Sequence, residues 1–273
     1  MSNNIDDLTS VFWDGLYEDS LKLKDFETWM LDCEAKYTID KWRTSLAKWF
    51  PRKVWRGNIN SNYELLWKEQ YTEIIGNINI RQQNIINVES FASIKKIKGH
   101  LQIEYNNSLI FINGFNSLET VSKFINISFN QSLLEINGFN LLKSIKRQFN
   151  IENNPLLKEI DGFSSIKDIG SNLYINNNNL LYINTFNKLK TIGGSLLLGN
   201  NPFQFINGFD SLEEIGDNFF ITNNPHLIRI HKFKSLKEIG NYIYINYNPN
   251  LSKLNIEYAF KEIIVHNRRT LNT

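Results

Sequence analysis

A phenylalanine recurs at Phe91, Phe115, Phe139, Phe163, Phe186, Phe209 and Phe233, with gaps of 24, 24, 24, 23, 23 and 24 residues. A fixed period in this range marks a repeat architecture. One such unit cannot bury its apolar face alone, so copies must stack into a continuous core. Glycine precedes four of these positions, at Gly114, Gly138, Gly162 and Gly208. Aliphatic residues follow each Phe at fixed offsets, as in Leu118 and Val121 or Leu212 and Ile215.

Within every period an alternating apolar pair appears: Ile78 and Ile80, Leu101 and Ile103, Ile125 and Ile127, Phe149 and Ile151, Leu173 and Ile175, Leu196 and Leu198, Phe219 and Ile221, Ile243 and Ile245. Alternation of period two predicts a short strand with one face buried. An Asn-rich turn follows, as at Asn106-Asn107, Asn153-Asn154, Asn200-Asn201 and Asn223-Asn224. Asparagine tolerates left-handed backbone and can hydrogen-bond between stacked units, so these turns are expected to be structural ladders. The expected fold is mainly β, a β-solenoid of about 23–24-residue rungs over residues 75–265, followed by a tail at 266–273.

The first 74 residues have a different chemistry. All six tryptophans lie there, at Trp13, Trp29, Trp42, Trp49, Trp55 and Trp67. Phe26, Trp29, Met30, Cys33 and Tyr37 fall at helical spacing, as do Trp42, Leu46, Trp49 and Phe50 before Pro51. A bare terminal rung would expose core and sheet edge, so this region is expected to be a small α-helical N-terminal cap. Tyr258, Phe260, Ile263 and Ile264 are the expected C-terminal cover.

The rung Gly240–Leu251 (GNYIYINYNPNL) and the rung Ser171–Leu180 (SNLYINNNNL), the latter followed by an Ile and a GF-x-S-L-x-x-I-G-like stretch, resemble the receptor L domain, a leucine-rich-repeat relative. The resemblance spans roughly Ile75 to Ile263 and implies a right-handed β-helix that binds a protein partner, with no catalytic residues carried over. The stretch Lys24–Tyr37 (KDFETWMLDCEAKY) is similar to the openings of bacterial toxin-immunity proteins.

Between the two inward positions of each strand one residue points outward. Down the rungs these are Asn79, Gln102, Asn126, Asn150, Tyr174, Leu197, Phe220 and Tyr244. Four amides thus give way to four apolar or aromatic side chains, which Tyr242 extends. An apolar strip on a polar solenoid is the mark of an interface, so Tyr174, Leu197, Phe220, Tyr244 and Tyr242 are the candidate partner-binding residues. A second candidate contact is the basic, Trp-interleaved segment Lys41–Arg56, with Lys41, Arg43, Lys48, Arg52, Lys53 and Arg56. Such a segment could meet nucleic acid or a membrane surface, but its Trp spacing fits one buried helical stripe better.

Little points to chemistry. The four histidines, His100, His226, His231 and His266, have no metal-ligand spacing, and no phosphate-loop or dinucleotide fingerprint occurs. Cys33 sits on an apolar stripe. No catalytic residue, metal or cofactor is expected, nor a small-molecule substrate, and the formal net charge of +2 argues against a nucleic-acid or membrane partner. The opening MSNNIDDLTS lacks a basic start and an apolar run, and no stretch approaches the roughly 20 apolar residues of a membrane helix. With one cysteine, a reducing, cytoplasmic setting is expected. The expectation is a non-catalytic cytosolic binder, of inhibitor or immunity type. The alternative is a surface or secreted adhesin or effector, whose sequons at Asn106, Asn126 and Asn130 would then be glycosylated.

Overall fold

The inward pairs stack on one another in register. In the computed structural model, which describes residues 54–60, 71–261 and 263–265, their strands form one eight-stranded parallel sheet from Ile78–Arg81 to Ile243–Asn246. Ile127 pairs with Ile151, which pairs with Ile175, then Leu198, Ile221 and Ile245. Burial alternates over the first three residues of each strand, as period two demands. This sheet is the broad face of a β-solenoid.

Two further faces close each rung. A second parallel sheet runs from Glu73–Ile75 through two-residue strands such as Ser144–Ile145 and Glu214–Ile215 to Ile264–Val265. The third face is split into a four-stranded sheet ending at Glu159–Ile160 and a three-stranded sheet beginning at Tyr182–Ile183. The split has a cause visible in the repeat lengths. Leu157 follows Asn154 by three residues and closes a turn through Leu157 N–H to Asn154 C=O at 3.0 Å, whereas Leu180 follows Asn178 by two. The shortened corner starts the first 23-residue rung, and the third-face ladder breaks there.

The chain divides into two compact units, Met1–Arg56 and Gly57–Thr273. Of the first, only the strand Val54–Arg56 falls among the described residues, so the expected helical cap and most of the basic segment lie outside them. In the second, rung pairing starts at Gly57 and Ile59, upstream of residue 75: Gly57 N–H bonds Ile75 C=O at 3.0 Å, and Ile59 bridges Ile78.

Two internal columns hold the rungs together. The repeated phenylalanines are all buried and stack on one another, with Phe91, Phe115, Phe139 and Phe163 at centroid spacings of 4.9–5.0 Å. The second column is one asparagine per rung: Asn106, Asn130, Asn154, Asn178, Asn201 and Asn224 are buried, and Asn248 ends the column half-buried. Each side-chain amide donates to a strand carbonyl of an earlier turn, as Asn130 does to Ile103 C=O at 2.9 Å. The Asn106 Oδ1 accepts Gln83 N–H at 3.0 Å, and from Asn130 onward each Oδ1 accepts the backbone N–H of the preceding ladder asparagine, as Asn154 does from Asn130 at 3.1 Å. The amides thereby satisfy backbone groups that the corner would otherwise leave buried and unpaired.

The adjacent asparagines do a different job. Asn153, Asn177, Asn200 and Asn223 have φ between 50° and 58°, a left-handed corner that short amide side chains tolerate. Tyr105 and Phe129 take the same conformation in earlier rungs and stack 4.8 Å apart.

At the C-terminal end, the helix Lys253–Phe260 covers the core with Ile256, Ala259 and Phe260, the last ring lying 5.6 Å from Phe233 and 5.7 Å from Phe219. Phe260 is therefore the lid expected from the sequence. Tyr258 is not, being 62% exposed. At 100° per residue, positions 256, 259 and 260 share one helix face and 258 lies on the other. Ile263 is half-buried behind the helix, and Ile264 enters the second sheet beside Glu238.

Candidate functional site: the outer broad face

Three outward columns cross the broad face. The middle one is Asn79, Gln102, Asn126, Asn150, Tyr174, Leu197, Phe220 and Tyr244, each paired in register with the next. Tyr242 belongs to the column beside it, below Asn172, Ser195 and Asn218, and meets Tyr244 edge-on at 5.6 Å. Phe220 and Tyr244 stack at 5.0 Å with their planes 6° apart. Tyr174, Leu197, Phe220, Tyr244 and Tyr242 thus share one continuous patch. Each is half-buried rather than fully exposed, because side chains standing on strands roughly 4.8 Å apart shield their neighbours. Burial raises the Tyr174 hydroxyl above the usual phenol range, with the charges of Glu152 and Asp217 adding to it.

The patch has an open, cation-free border. Early rungs carry Lys98, Ser122 and Lys146 at the corner leading into the broad face, whereas later rungs carry Gly170, Gly193, Gly216 and Gly240. A Cβ at Gly193 would lie 2.5 Å from Gly170 O, so backbone packs on backbone there. Beyond that corner come Ser195 and Asp217, whose side chains bond at 3.0 Å, and Asn241, which donates to Asp217 at 3.2 Å. The third outward column is Arg81, Glu104, Ser128, Glu152, Asn176, Gly199, Thr222 and Asn246.

Within the polar half, Glu104 is 7% exposed and fully engaged. Arg81 Nε lies 3.0 Å from its carboxylate, Asn126 Nδ2 donates to it, and Ser128 Oγ donates at 3.3 Å. The Arg81 guanidinium also lies 5.6 Å from the centroid of the Tyr105 ring. His100 stacks on Phe124 at 4.5 Å and hydrogen-bonds Asn79 at 2.7 Å; burial, then Lys123, lowers its pKa.

Of the basic residues in the segment only Arg56 is described. It ends the strand Val54–Arg56 with its side chain exposed, and Lys41, Arg43, Lys48, Arg52 and Lys53 lie outside the described residues. Among the described residues no three His, Cys, Asp or Glu side chains gather as a metal site, and no helix is long and apolar enough to cross a membrane.

A cleft of about 570 Å³ that sequence reasoning did not anticipate lies where the third face meets the C-terminal helix. Its lining includes Asn207, Arg229, His231, Lys232, Asn255 and Tyr258. The run Arg229–Lys234 (RIHKFK) was its only sequence signal.

The sequons bear on the secreted alternative. Asn106 and Asn130 are fully buried, and their Nδ2 atoms donate to Ile80 and Ile103 carbonyls, both at 2.9 Å. A glycan on either nitrogen would remove that bond and could not fit the rung. After passage through a eukaryotic secretory pathway, folded chain is expected to carry no glycan at either site. Peptide mapping that finds one on folded protein would contradict the ladder.

Comparison of the chain with protein-family models, curated proteins and solved structures returned no match.

Proposed function

We propose that the chain is a non-catalytic binding module that recognises a protein partner through the aromatic half of its broad face, in the manner implied by the resemblance to the receptor L domain. The observation that carries this reading is the in-register column Tyr174, Leu197, Phe220 and Tyr244, bordered by a glycine corner and neutral amides. Binding energy concentrates in a few aromatic anchors ringed by polar residues that exclude water. Cross-strand stacking stabilises a sheet by only about 0.2–1 kcal/mol per pair, so four large apolar side chains on an outer face exceed what sheet stability asks for. A cytosolic inhibitor or immunity-type partner is the cellular role that fits a sequence with a single cysteine.

The test is the triple variant Tyr174→Ser, Phe220→Ser, Tyr244→Ser. Proteins that co-purify with the wild-type chain from native extract are identified, and affinity for the purified partner is then measured. Loss of three anchors is expected to weaken binding at least a hundredfold while the far-ultraviolet circular dichroism stays native. Undiminished affinity in a folded triple variant would remove the strip from consideration.

A further inference from the structure

We infer that Asn150 and Glu152 form a socket for an arginine side chain of the partner, carried on an amphipathic helix whose apolar stripe lies along Tyr174, Leu197, Phe220 and Tyr244. This deepens the proposed function and rests on it for the stripe, but not for the socket.

The chain contains an occupied version of the same arrangement. Two rungs earlier in the same outward column stands Glu104, and the residue one rung before it is Arg81, whose guanidinium caps the carboxylate at 3.0 Å and lies beside the Tyr105 ring. The residue one rung before Glu152 is Ser128, already committed to Glu104. Among the described residues no cation pairs with Glu152. Its neighbour two positions back, Asn150, has a buried Oδ1 that meets no hydrogen-bond donor. Two acceptors thus stand on one outward face, about 6.6 Å apart along the strand: Asn150 Oδ1 has no donor, and the Glu152 carboxylate has the Asn176 amide but no cation, and a buried polar group left unpaired is costly. A guanidinium offers five N–H donors in a planar fork and stacks on aromatic rings, and Tyr174 is the cross-strand neighbour of Asn150. Burial, offset in part by the Asn176 amide, holds the Glu152 carboxyl above the usual carboxylate range, as expected of a group whose counter-charge comes from outside.

Spacing selects the helix. From the socket to Tyr244 is four rungs, roughly 19 Å at about 4.8 Å per rung. Four helical turns span about 22 Å. Four alternate residues of an extended strand span about 27 Å and would fall out of step within two anchors. The patch offers acids at Glu152 and Asp217 and no Lys or Arg in the later rungs of its outward columns, so a cation at the head of the stripe matches its charge.

The probe is an alanine-based helical peptide carrying one Arg followed at i+3, i+7, i+10 and i+14 by Leu. Its twin replaces the Arg with citrulline, which keeps the shape and loses the charge. Calorimetric titration of the full chain should show the Arg peptide binding at least tenfold tighter than the twin. Glu152→Gln should abolish that preference and leave the citrulline peptide unaffected. The same substitution should leave thermal stability equal or higher, by about 1–3 °C, because it removes a partly desolvated charge with no cationic partner. A residue serving only the fold would lose stability instead. Absence of saturable binding by the Arg peptide overturns the inference, as does an equal preference in Glu152→Gln. If the triple strip variant keeps full peptide affinity while Glu152→Gln loses the Arg preference, the socket stands and the strip reading fails. The reverse pattern sinks the socket and leaves the strip.

Discussion

Replacing Asn154 by Ala is expected to lower the unfolding free energy by about 3–5 kcal/mol, enough to remove a large fraction of the stability of an ordinary domain. The side chain is fully buried and works in both directions. Its Nδ2 donates to Ile127 C=O, Glu152 C=O and Asn178 Oδ1, each at 3.1 Å. Its Oδ1 accepts Asn130 N–H at 3.1 Å and Asn130 Nδ2 at 3.2 Å. Truncation orphans the Asn130 N–H and weakens the bonding of two carbonyls, at about 1–3 kcal/mol for each group left bare. Asp would accept but could not donate, and would bury a charge, so Asn154→Asp is expected to cost at least as much. The control is the adjacent corner. Asn177 sits at φ 53° with its amide on the surface, bonded to Asn153 at 3.0 Å. Asn177→Gly keeps the left-handed backbone and is expected to change stability by no more than about 0.5 kcal/mol. Urea denaturation of the three variants measures the contrast. Similar losses at 154 and 177 would mean that the ladder is not what holds the rungs in register.

Adjacent asparagines with such different roles show where sequence reading succeeds and where it stops. Phenylalanine spacing and period-two pairs depend on one strong force, apolar burial, so the repeat, the strands and the inward residues are legible in the sequence. Both asparagines of a turn are legible as ladder residues. Which one is buried is not, because composition does not distinguish a left-handed corner from the position after it. Tyr105 and Phe129 hide the same corner entirely, since neither residue type announces a positive φ. The column Tyr174 to Tyr244 follows from alternation alone. The significance of Glu152 does not, because it depends on a register that sets Arg81 beside Glu104 and only Ser128 beside Glu152. Tyr258 fails as a cap for a related reason: apolar content marks a terminal cover, but a half-turn of helix phase decides which ring faces the core.

Register also makes the cost of a core substitution depend on its place along the solenoid. Phe139→Ala is expected to destabilise by about 3–5 kcal/mol, the range for a buried phenylalanine lost from a site that cannot collapse. Phe139 is fully buried between Phe115 and Phe163, at 4.9 Å from each ring, with planes 15–16° from parallel. Rungs on both sides are pinned by the asparagine ladder, so neither can move in to fill the space. Phe233→Ala removes the same side chain from the end of the column. There Phe209 is 6.1 Å away and tilted 41°, Phe219 meets the ring edge-on at 5.3 Å, and the outer side is covered by the helix carrying Phe260. A docked helix can shift inward more easily than a hydrogen-bonded rung, so this substitution is expected to cost about 1–2 kcal/mol less. Phe139→Leu, which keeps most of the volume, should cost less than half as much as Phe139→Ala. Denaturant titration compares the three, and hydrogen exchange locates the damage. Energetics dominated by nearest neighbours predict that Phe139→Ala speeds exchange in the rungs around Phe115 and Phe163 before those around Phe233. Equal acceleration along the whole chain would instead mark the solenoid as a single cooperative block, and the end-versus-middle difference should then vanish as well.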